Sequence, residues 1–444
     1  MMEKKDVVII GGSAAGATAS RAARRHPMVG KVTVIRKETR VLVPCGIPYI
    51  FGTLGSVDKN LMPDAILGGS ELLVDEVTSI DRHNRTVSTV GAKTVGYDKL
   101  LLCTGSRPVL PPIPGLEKEN VFAIWKDADY LQKLAETLKG AKGVVVIGGG
   151  FIGVEFADEC RKRGLEVTLI ELLPHCLQLV CDDQLSTDAE SALRKQGVRI
   201  ITSDAVRSIA GNGRVDYVEL QSGEQVKADV VVVGIGAAPN TELARKAGLE
   251  IGEQGGISVD EYMRTSDPDI FAAGDCAEKY SFFTGKPVAL RLASIATREA
   301  KLAVMNLFEL KIRNPGTIGV FSTTIGDTAL AVAGLTERAA QEAGFDFVVG
   351  EASALDKHPG SMPNAREVKV KLLFDRSSRK ILGGQAYGGL TTGEIANVIA
   401  ALIAGGMTVE QVATFQMGTH PILTASPIVY QIANAADQAL AKMS

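Results

Sequence analysis

Short apolar runs that stop at glycines set the rhythm of the first half of the chain. Residues 6–10 are rich in β-branched side chains and end at Gly11 and Gly12, and the alanine-rich stretch 14–23 follows. This pattern predicts a strand, a tight turn and a helix. Residues 31–35 supply a second strand, which completes a βαβ unit of roughly 30 residues. The pattern then returns: a strand at 143–147, a glycine turn at 148–153, a helix running to Arg163 and a strand at 166–170. Two nucleotide-binding cores built on parallel strands are therefore expected.

Between them, a strand at 97–103 ends in Thr104-Gly105-Ser106-Arg107-Pro108, and the proline-rich residues 111–115 read as a linker. A matching strand at 229–234 ends in Gly236-Ala237-Ala238-Pro239-Asn240 and closes the second core, after which residues 270–275 resume the first. Beyond about residue 316 this pattern stops. Short strands such as 368–374 alternate there with a helix at 393–404, which predicts a third domain of α+β character. The expected division is an α/β chain with Rossmann-like domains at 1–113 plus 243–316 and at 114–242, and a C-terminal domain at 317–444.

A length of 444 residues fits this count, being too long for one ordinary core. Lys and Arg total 48 against 51 for Asp and Glu, a net charge of -3, so no broad attraction to nucleic acid or to an anionic membrane is expected. The N-terminal residues lack the apolar run and cleavage site of a signal peptide, and no stretch reaches the roughly 18 consecutive apolar residues of a membrane-spanning helix. A soluble, cytoplasmic protein is expected. The six cysteines, at 45, 103, 160, 176, 181 and 276, are scattered rather than spaced as a disulfide scaffold, so reduced thiols are the default.

The first turn reads Gly11-Gly12-Ser13-Ala14-Ala15-Gly16, with Ser13 where the middle glycine of G-x-G-x-x-G usually sits. Gly11 permits the tight turn, Gly16 the close packing of helix on strand, and the helix N-terminus offers N–H groups to a pyrophosphate. The second turn, Gly148-Gly149-Gly150-Phe151-Ile152-Gly153, has all three glycines, and Glu171 ends the next strand. An acid there accepts from a ribose 2′-OH and repels a 2′-phosphate, so NADH is favoured, with NADPH left open as a second donor. At the equivalent position of the first unit stands Arg36, where an acid is expected, and nothing in the sequence explains it.

Cys45 lies in Val43-Pro44-Cys45-Gly46-Ile47-Pro48-Tyr49, where a loop is expected to enter a helix whose N-terminus favours a thiolate. No cysteine follows at a spacing that closes a C-x-x-C or C-x4-C disulfide, so one sulfur must act alone. A packed core cysteine is the bland alternative. Together, Gly11 to Gly16, Cys45-Gly46-Ile47-Pro48-Tyr49, Thr104-Gly105, Gly148 to Gly153 and Ala273-Gly274-Asp275 resemble the pyridine nucleotide-disulfide oxidoreductases. The likeness is to their single-cysteine branch, which holds coenzyme A disulfide, persulfide and polysulfide reductases and NADH oxidases and peroxidases.

The resemblance covers essentially the whole chain. It implies FAD in the first domain, a pyridine nucleotide in the second, and a homodimer joined through the third. FAD would then be held by Gly11, Gly12, Ser13, Ala15, Gly16, Arg36, Pro44, Val77, Thr104, Gly105, Gly274, Asp275 and Ala293, with residues 296–299 on a helix closing over the flavin. The pyridine nucleotide would be held by Gly148, Gly149, Phe151, Ile152, Gly153, Glu155, Glu171 and Gly236. The implied cycle carries hydride from NADH to one flavin face while Cys45, on the other, exchanges with a sulfur substrate, with coenzyme A as its implied carrier.

His420, in Gly418-Thr419-His420-Pro421, resembles the histidine that many disulfide reductases bring from the partner subunit as a proton shuttle. The acid usually found five residues later is absent, since Ala425 stands there, and single-cysteine relatives often use an aromatic hydroxyl in this region instead. Arg21, Arg24 and Arg25 are candidates for coenzyme A phosphates or a solvated helix end. Cys176 and Cys181, beside His175, lack a second ligand pair for zinc and read as structural, and no metal site is expected. The rival functions are an NADH oxidase or peroxidase cycling Cys45 through a sulfenic acid, a flavin reductase for a small iron protein, and a non-catalytic flavoprotein.

Overall fold

The computed structural model describes residues 4–443. Strand β1 (Lys5–Ile10), helix α1 (Ala14–Ala23) and strand β2 (Val29–Arg36) open the chain, followed by β3 (Glu71–Val74) and β4 (Lys99–Leu102). The second copy of the pattern is β5 (Gly143–Ile147), α2 (Phe151–Lys162) and β6 (Glu166–Ile170), with β7 (Arg199–Ile201) and β8 (Val230–Val233). Then come β9 (Ile270–Ala272) and α3 (Ala293–Met305). The C-terminal part holds β10 (Val320–Ile325), β11 (Thr328–Gly334), β12 (Phe347–Leu355), β13 (Glu367–Asp375), β14 (Ile381–Gly388), α4 (Thr392–Ala404) and α5 (Gln431–Ala441). No helix is long and apolar enough to cross a membrane among the described residues.

These residues divide into two compact units. One runs up to Pro112 and adds Phe122–Gly140 and Ile235–Thr317; the other comprises Ile113–Val121, Ala141–Gly234 and everything from Ile318.

The first unit is built on a five-stranded parallel sheet in the order β9-β4-β1-β2-β3. Val7 to Ile10, Leu100 to Leu102 and Ile270 to Ala272 are buried as unbroken runs, as expected of strands covered on both faces. That is why the sequence shows apolar blocks rather than alternation. Small residues of α1, among them Ala15, Gly16, Ala17 and Ala19, are buried, which lets the helix pack against α3.

In the second unit the parallel strands run β7-β6-β5-β8. A small antiparallel sheet contributes Ile209, Val218, Leu220 and Val226 to the same core as Val145, Ile147 and Val231. The C-terminal sheet is antiparallel in the order β10-β11-β14-β13-β12, with α4 against β11 and β14 and α5 against β12 and β13. A partly buried polar network joins this sheet to the segment after β6. Asp182 pairs with Lys371, accepts from Gln385 Nε2 at 2.6 Å and from Glu337 N at 2.9 Å, and Lys371 also pairs with Glu337 at 2.6 Å. Every charge in it has a partner, as burial requires.

Candidate functional site

Gly11 holds φ at +108°, and a Cβ there would lie 2.1 Å from the carbonyl oxygen of Cys103. Only glycine meets both conditions. Ser13 is the N-cap of α1 without a side-chain capping bond, and the first turn carries no acid. The first N–H groups of the helix are therefore left to a bound anion. Gly16 touches the Gly11 backbone, and Gly274, just past β9, meets Ala15 at the helix start.

Beside this cradle Asp275 accepts from Ser106 Oγ at 2.7 Å and pairs with Lys126 Nζ at 3.1 Å. Burial pushes its carboxyl up, but the Lys126 ammonium and the Ser106 hydroxyl bring it below the usual range. Glu299 is fully buried; its Oε2 accepts from Gly274 N and from Lys279 Nζ, both at 2.9 Å. Its Oε1 has no hydrogen-bond partner among the described residues, and burial holds the carboxyl above its ordinary value despite Lys279. Thr104 donates to the Asn240 carbonyl at 2.7 Å, which fixes the strand exit rather than presenting its hydroxyl, and a Cβ on Gly105 would meet open space. Ala293 begins α3, Val77 opens the strand Val77–Asp81, and both belong to this unit. An uncapped helix start, glycines without room for side chains and a carboxylate held by a lysine fit a dinucleotide carrying a pyrophosphate and a polyol, as FAD does.

Arg36 ends β2 with a side chain only 2% exposed. Its Nε donates to the Glu38 carbonyl at 2.9 Å, its Nη2 to Asp64 Oδ1 at 2.6 Å, and its stem lies against Gly12. The exposed acid at this strand end is thus Asp64, delivered by the arginine.

Cys45 does not enter an α-helix. It sits in the 3-10 turn Pro44–Gly46, followed by a second such turn, Pro48–Phe51. Pro48 has no N–H to donate to the Pro44 carbonyl, so an α-helical ladder cannot start there. A three-residue 3-10 turn carries little dipole, so it gives a thiolate little support. Instead the turn is held from below by Asn60, which is buried. Asn60 Nδ2 donates to the Val43 carbonyl at 3.0 Å, Val43 N donates back to the Asn60 carbonyl at 2.9 Å, and Gly46 packs against Asn60 Oδ1. Cys45 is the one exposed cysteine of six. Burial pushes Cys103, Cys160 and Cys276 up, and Cys176 and Cys181 up to about 12, so these five remain neutral thiols. No group of three or more His, Cys, Asp or Glu side chains is arranged to hold a metal among the described residues.

The second turn repeats the first. Gly148 holds φ at +105°, Gly150 caps α2 without a side-chain bond, and a Cβ on Gly150 would meet open space. Glu171 accepts from the N–H groups of Gly149 and, at 2.8 Å, Leu173, which fixes its carboxylate at the end of β6. Cys176 lies under the loop, against Gly149. Ile152 is partly exposed at the helix start, and Phe151 stacks on Phe321 with ring centroids 5.2 Å apart. Burial pushes Glu155 up to about 7, opposed by a 2.8 Å hydrogen bond from Thr323 and aided by Glu159. Gly236, at φ +116°, falls in the first unit, where its carbonyl accepts from Val109 N at 3.0 Å.

His420 is exposed in the second unit. Ile422 N donates to its Nδ1 at 3.3 Å, which leaves the ring proton on Nε2. His358 braces this segment: its N donates to the Pro421 carbonyl at 2.9 Å and its Nδ1 to that of Thr424 at 3.0 Å. Tyr430 offers an aromatic hydroxyl nearby in sequence, raised by burial. Asn60, Asp64, Lys126, His358 and Thr323 carry no local sequence signal, since each acts on residues distant along the chain.

Residues 5–300 match the family described as pyridine nucleotide-disulphide oxidoreductase, and residues 320–427 match its dimerisation domain. The chain is 30% identical to a protein named NADH oxidase from Methanocaldococcus jannaschii, covering 98% of this chain and 99% of that one. It is 33% identical to an NAD(P)H coenzyme A polysulfide/persulfide reductase from Pyrococcus horikoshii, covering 91% and 92%. A solved NAD-dependent persulfide reductase from A. fulgidus superposes with a TM-score of 0.91 at 34% identity, covering 98% of this chain and 83% of that one.

Proposed function

Because this chain belongs to the pyridine nucleotide-disulphide oxidoreductase family and is an FAD-dependent NAD(P)H oxidoreductase, we propose that it uses NADH to reduce a persulfide, polysulfide or disulfide carried on coenzyme A, through Cys45. The observation that carries this reading is that one thiol of six is exposed, on a turn braced by buried Asn60, while the other five are buried and kept neutral. A large sulfur substrate needs such access.

The residues at Gly11 to Gly16, Gly274 and Asp275 hold FAD, and those at Gly148 to Gly153, with Glu155 and Glu171, hold the nucleotide. Bound there, FAD supplies passage of one electron pair from NADH to sulfur. The Cys45 thiolate attacks the substrate S–S bond; a bond forms from Cys45 Sγ to one sulfur, and the other sulfur leaves as a thiolate that takes a proton from solvent. Two electrons from NADH break the new S–S bond and restore Cys45. Arg21, Arg24 and Arg25, exposed and without an acidic partner among the described residues, suit the coenzyme A phosphates.

The protein acts as a homodimer in the cytoplasm. Exposed Ile422, Leu423, Ile428 and Val429, within or beside the dimerisation match, support the dimer, since such an apolar cluster needs cover. Reduced thiols support the compartment. The similarity to proteins named NADH oxidase favours oxygen as the rival acceptor. Replacing Cys45 by Ser and assaying coenzyme A disulfide, polysulfide and oxygen side by side separates the readings. Loss of the sulfur activities, with anaerobic bleaching of the flavin by NADH retained, is expected. Sulfur reduction at the parent rate by the serine variant overturns the mechanism.

A further inference from the structure

The helix that starts at the second glycine turn is registered against the first strand of the C-terminal sheet along one face. Phe151, Glu155 and Asp158 are spaced i, i+4, i+7 on α2 and so share a side of it. Phe321 and Thr323 are two apart on β10 and share a side of the strand. Phe151 stacks on Phe321 with an interplanar angle of 12°, Thr323 Oγ1 donates to Glu155 Oε1 at 2.8 Å, and Asp158 Oδ1 accepts from Gly326 N at 3.0 Å. The outer contacts of this seam are packing and a backbone bond. The middle one joins Thr323, a residue 5% exposed, to Glu155, a half-buried residue one turn into the helix.

Thr323 is the one hydrogen-bond partner of the Glu155 carboxyl among the described residues, and it engages Oε1, leaving Oε2 to a ligand. We propose that Thr323 is a positioning residue for the nicotinamide nucleotide, holding the Glu155 carboxyl in one orientation at the turn from a separate part of the sequence. This rests on the reading that the Gly148 to Gly153 turn and Glu155 bind NADH. A threonine hydroxyl serves because it donates to the carboxylate and favours that form. Of the charged groups on the elements packed around Glu155, Glu159 is the one that acts on it, pushing it the other way, and Glu159 is itself paired with Lys162 at 2.6 Å.

The test uses the full FAD-loaded protein with Thr323→Val, which keeps the shape and removes the hydroxyl, Thr323→Ser, which restores it, and Glu155→Gln. Flavin bleaching by NADH is followed anaerobically across pH, with melting temperature alongside. Thr323→Val is expected to weaken NADH binding about tenfold at pH 7 and to move the acidic limb of the binding profile up by about one pH unit. Thr323→Ser should lie near the parent, and melting should change little. Parent-like NADH binding and pH profile in Thr323→Val, or equal defects in the Val and Ser variants, overturns the proposal. If Thr323→Val does not fold, Thr323→Ala carries the same expectation. A defect in Glu155→Gln without one in Thr323→Val refutes the role of Thr323 alone; full NADH binding by Glu155→Gln refutes the reading of the turn as well.

Discussion

Replacing Gly46 by Ala isolates the support of the reactive cysteine. The backbone at Gly46 has an ordinary negative φ, so alanine is conformationally acceptable and the effect is purely steric. The new methyl would lie 1.9 Å from Asn60 Oδ1 and 2.9 Å from its Cγ. Asn60 cannot swing away, because it is buried, donates from Nδ2 to Val43 and is bonded through its own backbone to Val43 and Val57. Overpacking of this kind costs about 1–3 kcal/mol. Removing the Asn60 side chain leaves the Val43 carbonyl short of a donor at a similar cost, about 1–3 kcal/mol. Combined, the two changes should interfere constructively: the alanine methyl occupies the space the amide vacates, and the double variant should be more stable than the sum of the singles by about 1 kcal/mol or more. Thermal midpoints, turnover with coenzyme A disulfide and the rate of Cys45 alkylation follow the four proteins. Displacing Sγ by about 1 Å should lower turnover by about 10²-fold in the Gly46→Ala protein, with partial recovery in the double variant. A Gly46→Ala protein equal to the parent in stability and turnover, or strictly additive losses, would refute the view that Asn60 sets the position of the cysteine.

Three further outcomes are expected. Glu155, raised from 4.5 to about 7, keeps its proton in the folded chain after the unfolded chain has lost its own, so stability should fall as pH rises through about 4.5–7. Glu155→Gln removes that loss and should melt relatively higher at pH 8 than at pH 5, by about 2–3 kcal/mol of difference. Lys279→Met leaves Glu299 buried and uncompensated and should cost about 3–5 kcal/mol, measurable by denaturant titration, whereas adding Glu299→Gln should recover most of it. Glu171→Ser with Leu172→Arg should shift the kcat/KM ratio toward NADPH by at least about tenfold; an unchanged ratio would count against Glu171 as the ribose acceptor.

The parts of the fold that depend on neighbours in sequence were readable in advance. Both glycine turns, their helices and the parallel strands are encoded within about thirty residues each, because backbone geometry and burial on both faces leave a local mark. Cys45 was singled out by its Gly and Pro flanks, and in the fold it is the exposed cysteine of the six. Its conformation was misread, because Pro48 forbids the helix that those same flanks suggest. Arg36 looked anomalous until Asp64, 28 residues on, was found against it. Asn60 and Thr323 are silent in the sequence for the same reason. Each is an ordinary polar residue whose partner, Val43 in one case and Glu155 in the other, is reached only by the folded chain.

The network around Asp182 bears on recombination between relatives. A chimera that exchanged only residues 141–234 would pair a foreign Asp182 equivalent with the resident Lys371, Glu337 and Gln385, and a foreign α2 with the resident Phe321 and Thr323. Exchange of that segment together with everything from Ile318 keeps both sets of partners intact, so donor specificity should travel between homologues as two distant stretches of gene inherited together.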